Sequence, residues 1–304
     1  SIPSMNLAKG TYHQIELGTE SSISSLTMQE HSQLYMKSPL KILKSENNGD
    51  SEIVIDNTTL TLGNDIKLSN LTNNGSIILN DTNNTPNVQI TNVTNSGTIT
   101  VSKGTLAITN LTITGDSTLI GPMTVTNLVA DNLGGKTLTV NNEITVTSMS
   151  LSGTEDASTD DDKYLKLDET GSFKFTAKPD QCVGNYLKFL NATNPTVSIE
   201  NQDGEKILLI NSLNSNNQNT NFPDGWKVPV TITWTGGANS TGWGGNNTKN
   251  WNPNQIPGKD NEVVIDVAKE TGGAFGIGAS RKYPKLGNIG ETIDIYSLTI
   301  KEAL

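Results

Sequence analysis

An acidic run is the densest group of chemistry-bearing side chains in the sequence, and it reads "EDASTDDD" from Glu155 to Asp162. Calcium is a hard cation that binds several oxygen ligands at once, so Asp156, Asp160 and Asp162 are candidate ligands. The run lacks the glycine and the glutamate that an EF-hand loop beginning at Asp156 would need at its sixth and twelfth positions. A solvated acidic loop is the interpretation that we favour, and a calcium site is the alternative.

The histidines and the cysteine are the other side chains that could serve a nucleophilic or metal-dependent mechanism. The chain has two histidines, His13 and His31, which are 18 residues apart, and one cysteine, Cys182, which has no histidine near it in the sequence. These numbers make a zinc site and a Cys-His pair improbable and exclude an intrachain disulfide. The histidine spacing would suit a pH switch between neighbouring coils of a repeat, but we expect two exposed surface histidines.

Tryptophans are concentrated near the C-terminal end of the chain. Trp234, Trp243 and Trp251 lie in a glycine-rich segment, with Trp226 shortly before them. Aromatic faces stack on sugar rings, so the first three are candidate glycan-binding residues. The alternative, which we favour, is that they form a small core in a segment with few other large side chains.

A repeated phrase indicates how the rest of the chain is organised. The stretch "SNLTNNGSI" begins at Ser69, and related phrases begin at Thr91, Thr109 and Thr126, at intervals of 22, 18 and 17 residues. A degenerate copy follows at Thr147, 21 residues further on. Periods near 20 residues are typical of solenoids. Short alternating segments such as "VQI", "TITV" and "LTV" lie between the copies and predict two or three strands in each coil.

These patterns predict an all-β fold, a right-handed parallel β-helix with coils of about 17–22 residues. Isoleucine, valine and leucine would face inward, while threonine and asparagine would face outward or lie at corners. The dipeptides Asn48–Gly49, Asn74–Gly75 and Ser96–Gly97 are predicted turns, because glycine tolerates a positive φ. Stacked asparagines would form amide ladders between coils.

The distribution of charge argues against an enzyme. Asp81, Asp116, Asp131 and Glu143 are the only acidic residues of the regular coils, and no two of them occupy the same repeat position. Enzymes on β-helices, such as polysaccharide lyases and hydrolases, instead assemble several charged groups on one face. We therefore predict no catalytic residues and no cofactor, and keep a β-helix lyase or hydrolase as a remote alternative.

Composition excludes further classes of partner. The net charge is −10 and Arg281 is the only arginine, so the clustered cations of a nucleic-acid-binding surface are lacking. No segment approaches the ~18 apolar residues of a membrane span. An acidic surface rich in threonine and asparagine suits a secreted or cell-surface protein.

Changes in the repeat pattern divide the chain into three predicted segments. Residues 1–153 form the solenoid, and residues 154–222 form a less regular β region or insertion with a low-complexity loop. Residues 223–304 form a Trp/Gly-rich β segment that leads into further coils, because "ETIDIYSLTI" near the C-terminus restates the rhythm of "SSISSLTM" at Ser21–Met28. The restated rhythm leads us to expect a fragment of a larger protein.

The Trp-rich segment also carries a resemblance to a known class of proteins. From Trp234 to Ile265 the sequence follows the pattern W-T-G-G, W, N-W, P-G-x-D-x-V-V-I. This pattern resembles a segment of bacterial autotransporter-like and filamentous-haemagglutinin-like surface adhesins, where it precedes β-helix coils. The resemblance implies a non-enzymatic structural or adhesive module on the bacterial surface. Its partner would be a host-cell or cell-surface receptor or a glycan, with self-association also possible. A carbohydrate-binding module that uses the Trp-rich segment is the alternative.

Overall fold

The computed structural model describes most of the chain. The residues outside this description are 17–20, 48, 65, 81–86, 158, 169, 177–181, 201–203, 236–250, 254, 258–260, 267–294, 296 and 302–304. Contacts between the described residues divide the chain into two compact units, Ser1–Lys227 and Val228–Leu304. Each unit is described by itself below.

The first unit is built almost wholly of short strands. The strands up to residue 101 are β1 (Ile2–Leu7), β2 (Tyr12–Ile15), β3 (Ser21–Met28), β4 (Gln33–Met36), β5 (Leu40–Ile42), β6 (Ser45–Asn47), β7 (Glu52–Ile55), β8 (Thr59–Leu62), β9 (Ile66–Asn73), β10 (Ser76–Leu79), β11 (Asn87–Asn95) and β12 (Thr98–Val101). Those that follow are β13 (Thr105–Ile113), β14 (Ser117–Ile120), β15 (Met123–Ala130), β16 (Thr137–Asn141), β17 (Glu143–Ser152), β18 (Leu165–Asp168), β19 (Ser172–Phe175), β20 (Val183–Asn185), β21 (Leu187–Phe189), β22 (Thr196–Ile199), β23 (Ile207–Ile210) and β24 (Trp226–Lys227). A short helix, α1 (Asp160–Lys163), lies between β17 and β18.

Parallel pairing between successive coils confirms the predicted β-solenoid, which has about ten coils. The strands form three stacks. One stack, named here the ladder stack, contains β2, β4 and β7, the second halves of β9, β11, β13, β15 and β17, and then β20, β23 and β24. A second contains β5, β8, β10, β12, β14, β16, β18 and β21. The third contains the second half of β3, then β6, the first halves of β9, β11, β13, β15 and β17, and then β19 and β22.

The register of the ladder stack follows the repeated phrase. Asn70 pairs with Asn92, Asn92 with Asn110, Asn110 with Asn127, and Asn127 with Ser148. The repeat positions predicted from the sequence therefore stack directly on one another. The phrase is a unit of architecture, because the same residue types meet their counterparts on the coils on either side.

Aliphatic side chains fill the interior in continuous rows. In the ladder stack, one inward row is formed by Leu34, Ile53, Leu71, Val93, Leu111 and Leu128, each at most 1% exposed. Each coil buries its aliphatics against the coils on both sides, so neighbouring coils stabilise one another. Buried and outward residues alternate along short strands such as β4, β7 and β10, as the sequence pattern predicted, and the alternation breaks once in the long strands, where Thr91 and Asn92 are both exposed.

Two asparagines of the repeated phrase lie in an inward row, where the sequence predicted aliphatic residues. Asn73 and Asn95 are 0% exposed and continue the inward row of Met36 and Ile55. Asn73 Nδ2 donates to Asn95 Oδ1 at 2.7 Å, and Asn95 Nδ2 donates to Ser117 Oγ at 3.1 Å. Both residues end a strand directly before a turn, so they lie at corners as predicted, but their side chains point inward, where these hydrogen bonds compensate for burying the amides.

The glycines of two predicted turns are required for a different reason from the one expected. Gly49 has a positive φ of 68°, as predicted, but Gly75 and Gly97 do not have positive φ. A Cβ at Gly97 would lie 2.2 Å from the Gly75 carbonyl oxygen, and one at Gly75 would lie 2.2 Å from the Thr58 carbonyl oxygen. Close stacking of the corners, not a left-handed backbone, therefore demands glycine at these two positions.

The stacking continues through the region predicted to be less regular. β18 to β23 pair in parallel with the preceding coils, and the predicted boundary at residue 153 falls inside the first unit. Aromatic residues replace aliphatic ones in the last coils. The Trp226 ring packs edge-on against Phe189 and Phe173, with centroids 5.3 and 6.5 Å apart.

The second unit is a small sheet with its own core. Its strands are β25 (Val230–Trp234), β26 (Trp251–Asn252), β27 (Asn261–Asp266) and β28 (Ser297–Lys301). β27 pairs in parallel with β25 and β28, whereas β26 pairs antiparallel with β25. Its buried cluster consists of Ile232, Trp234, Trp251, Val263 and Ile265.

Candidate functional site

An asparagine ladder runs along the outside of the ladder stack. Asn92 Nδ2 donates to Asn70 Oδ1 at 2.8 Å, and Asn110 Nδ2 donates to Asn92 Oδ1 at 2.8 Å. Asn127 Nδ2 donates to Asn110 Oδ1 at 2.7 Å, and the Ser148 hydroxyl donates to Asn127 Oδ1 at 2.7 Å. All the amides are oriented in one direction. The amide ladder predicted from the repeat is therefore present, and it extends over five coils.

Hydroxyl groups line both sides of this ladder. The residue before each of the later ladder positions is an exposed threonine, at Thr91, Thr109, Thr126 and Thr147. Two residues beyond the ladder positions, Thr72, Thr94 and Thr112 stack in register. We name these two hydroxyl rows together with the asparagine ladder the ladder strip. Asn92 and Thr94 are two apart on β11 and therefore point to the same side. Thr91 is adjacent to Asn92 and is exposed beside it because the alternation of β11 is broken at these two residues.

The ladder strip differs in charge from the protein as a whole. The chain carries a net charge of −10, yet segments 69–73, 91–95, 109–113, 126–130 and 147–151 contain no charged residue. A surface of amides and hydroxyls can both donate and accept hydrogen bonds. Its chemistry therefore suits an uncharged polar partner rather than one recognised by opposite charge.

We expect the buried and exposed asparagines of β11 to contribute very differently to stability. Asn95→Ala should lower the free energy of unfolding by about 2 kcal/mol, because it removes buried hydrogen bonds to Asn73, Gly97 and Ser117. Asn92→Ala, three residues earlier on the exposed ladder, is the matched control and should cost less than about 1 kcal/mol. Urea denaturation of both variants measures the difference, and equal losses would contradict the assignment.

An open groove lies on the ladder strip at the end nearest the N-terminus. It has a volume of about 280 Å³ and is lined by Asp50, Glu52, Asn70, Leu71, Thr72, Asn92 and Thr94. These residues come from three successive coils, because Glu52 pairs with Asn70 and Asn70 with Asn92. The groove is therefore a product of coil stacking rather than of any contiguous segment.

The Glu52 carboxylate is fixed in this groove by two neighbouring coils. Gln33 Nε2 donates to Glu52 Oε2 at 2.7 Å, and the Thr72 hydroxyl donates to Glu52 Oε1 at 2.7 Å. Asp50 is much more exposed, with 80% of its side chain accessible, and its Oδ2 lies 3.9 Å from His31 Nδ1. The groove thus contains one held carboxylate and one solvated carboxylate. Sequence inspection missed both, although Glu52 precedes Asn70 by 18 residues, a spacing found within the repeat.

Another carboxylate, that of Asp56, lies outside the groove and is paired with a tyrosine. The Tyr35 hydroxyl donates to Asp56 Oδ2 at 2.7 Å. This hydrogen bond, together with partial desolvation and the negative charge of Asp56, raises the pKa of Tyr35 above its usual value. Since the pKa is raised on folding, the pair stabilises the protein fully below about pH 10 and loses that effect as pH rises through the folded-state pKa.

Asp56→Asn should therefore lower the pKa of Tyr35 towards the ordinary tyrosine range of about 10. The chain has six tyrosines, so the signal is isolated as the difference in tyrosinate absorbance between proteins with and without Tyr35→Phe. The expected result is a difference titration that shifts to lower pH in the Asp56→Asn background. Identical difference titrations in the two backgrounds would contradict the assigned hydrogen bond.

The other residues singled out from the sequence are spread over separate places. Asp162 lies within α1, whose N-cap is Thr159: the Thr159 hydroxyl accepts from the Asp162 backbone N–H and donates to the Asp162 carboxylate. Asp156 is exposed, and the side chain of Asp160 lies outside the described residues. In the described ranges, no three His, Cys, Asp or Glu side chains converge as a metal-binding group.

The tryptophans, the histidines and the cysteine are placed as follows. Trp234 and Trp251 are 3% and 1% exposed and pack edge-on at 4.8 Å, so their faces are covered, while Trp243 lies outside the described residues. His13 and His31 are both exposed, and His13 pairs with Leu34 rather than with His31. Cys182 is buried, and its Sγ donates to the Met149 carbonyl oxygen at 3.2 Å.

Comparison with known proteins finds no matching protein family, no matching curated protein and no matching solved structure. Within the described part of the chain, no helix has both the length and the apolar character that crossing a membrane requires.

Proposed function

We propose that this protein is a non-enzymatic structural and adhesive module of a secreted or surface-exposed bacterial protein. The ladder strip is the observation that supports this proposal most directly. It is a hydrogen-bonded ladder over five coils, with asparagine on four and Ser148 on the fifth, and its segments carry no charge. A repeated surface of this kind suits extended binding to a partner better than catalysis at a single bond.

Two further features agree with this proposal. The coils stack by parallel pairing with aliphatic rows inside, which gives a solenoid whose outward rows are held in register. The segment from Trp234 to Ile265 resembles the repeated segment of bacterial surface adhesins. The resemblance supports export and surface display, and the ladder strip supplies a surface that can bind.

Binding of the purified protein to intact cells tests this proposal, and a charge introduced into the ladder strip is the perturbation. Thr112→Lys places a cation in the strip, whereas Thr124→Lys places one at another exposed threonine of the next long strand, outside the strip. The wild-type protein and Thr124→Lys should bind bacterial or host cells equally, and Thr112→Lys should bind about tenfold more weakly. Absence of wild-type binding to every cell type tested, or equal binding by all three proteins, would overturn the proposal.

A further inference from the structure

We propose that the groove lined by Asp50, Glu52, Asn70, Leu71, Thr72, Asn92 and Thr94 binds an uncharged sugar unit of a glycan. This inference rests on the proposed adhesive function and names the chemical class of the partner. The groove volume of about 280 Å³ lies near the lower end of small-molecule sites. A groove of this size suits one sugar ring rather than the surface of a protein partner or a large cofactor.

The polar groups of the groove match the hydroxyls of a sugar. Each Glu52 oxygen already accepts one hydrogen bond, from Gln33 or Thr72, and retains a lone pair for a ligand hydroxyl. Two adjacent hydroxyls can therefore donate to the two oxygens of one carboxylate. Because hydrogen bonds from the protein already hold this carboxylate in place, ligand binding costs little further conformational entropy of the Glu52 side chain.

Donors of the groove complement these acceptors. The Asn92 amide uses one N–H to bond to Asn70, and its second N–H is available to a ligand oxygen. The exposed Thr94 hydroxyl can donate and accept. Leu71 is the one apolar residue of the lining, but its side chain is 1% exposed and points into the core, so the groove offers a ligand mainly polar groups.

Electrostatics favour an uncharged ligand over an anion. Asp50 and Glu52 place two carboxylates in the groove of a protein whose net charge is −10. A phosphate, a sulfate or a uronic acid would be repelled there. A calcium ion needs about six to eight oxygens, and the two carboxylates of this groove supply four at most.

The position of the groove also suits a chain of sugars rather than a single one. The ladder strip continues from the groove through Asn110 and Asn127 with the same amide groups, while the threonine row beside it extends to Thr112 and is followed by Val129. Neighbouring coils lie about 4.8 Å apart, so a glycan running along the solenoid would meet equivalent groups at regular short intervals. The sugar in the groove would be the anchored unit of that chain.

Calorimetric titration of the purified full chain tests the site. The probes are neutral tetrasaccharides of glucose, galactose and mannose, a galacturonic acid tetrasaccharide, calcium chloride and a lysine-rich peptide. At least one neutral tetrasaccharide should bind, and the galacturonic acid compound should bind at least tenfold more weakly. Glu52→Gln and Thr94→Ala should each weaken that binding about tenfold.

Thr124→Ala is the matched control, because Thr124 is another exposed threonine, on β15, that lies outside both the groove and the ladder strip. It should change affinity less than about threefold. Far-UV circular dichroism checks that each variant is folded. If Glu52→Gln does not fold, the affinity of Thr94→Ala alone tests the site. Binding of no neutral sugar, binding unaffected by the folded variants, or preferential binding of calcium or of the peptide would each overturn the inference.

The cell-binding assay separates this inference from the proposed function. If Glu52→Gln binds cells as well as the wild type while Thr112→Lys does not, the protein is adhesive but the groove is not the sugar site. If the wild type binds a neutral tetrasaccharide but no cells, the groove assignment stands and the adhesive function fails.

Discussion

Trp226→Ala is expected to lower the free energy of unfolding of the solenoid by about 4 kcal/mol. The indole is 3% exposed, and it packs edge-on against Phe189 and Phe173 in the last coils. Its Nε1 donates to the Pro195 carbonyl oxygen at 2.9 Å. Alanine would leave a cavity next to two large rings and remove this buried hydrogen bond. A urea titration followed by far-UV circular dichroism measures the loss.

Trp226→Phe is the control that separates packing from hydrogen bonding. Phenylalanine keeps an aromatic ring beside Phe189 but lacks the N–H that bonds to Pro195, so a loss of about 1–2 kcal/mol is expected. The order of stability should be wild type, then phenylalanine, then alanine. An alanine variant as stable as the phenylalanine variant would show that packing of the aromatic ring at position 226 does not stabilise the solenoid.

Gly97→Ala is expected to cost about 3 kcal/mol, the second largest effect. The added Cβ would lie 2.2 Å from the Gly75 carbonyl oxygen, which itself accepts a hydrogen bond from the Thr98 N–H at 2.9 Å. Two stacked backbones would have to move apart to admit one methyl group. The same urea titration measures this loss.

Gly115→Ala is the matched control on the next coil. Its nearest neighbour would be the Ser96 Cβ at 3.0 Å, a small side chain rather than backbone, so we expect a loss of about 1 kcal/mol. Equal losses at Gly97 and Gly115 would contradict the view that backbone contact at the corner requires glycine.

The repeated phrase was sufficient to predict the fold and its register. Leu71, Val93 and Leu111 occupy equivalent positions of successive phrases and stack in one inward row. This prediction succeeded because alternation along a strand decides which side chains are buried, and the spacing of the phrases decides which ones meet. The outward amide ladder followed from the same spacing.

The burial of Asn73 and Asn95 could not be predicted from their own residue type. Asn70, Asn73 and Asn74 stand within one phrase, yet only Asn73 is buried. Alternation continued from Leu71 would place Asn73 inside, but residue type argues against an inward amide unless partners are present. Those partners, Asn95 and Ser117, lie on other coils and are brought within hydrogen-bonding distance only by stacking.

The groove depended even more fully on the tertiary structure. Its lining comes from three coils, and the acidic residues Asp50 and Glu52 lie outside the segment where the phrase is regular. The sequence by itself determined the strands, the stacking register and the uncharged ladder strip, because these depend on local alternation and a fixed period. Only the tertiary structure decided where that strip opens into a groove and which carboxylate is held there, because both depend on contacts between residues about 20 positions apart in the sequence.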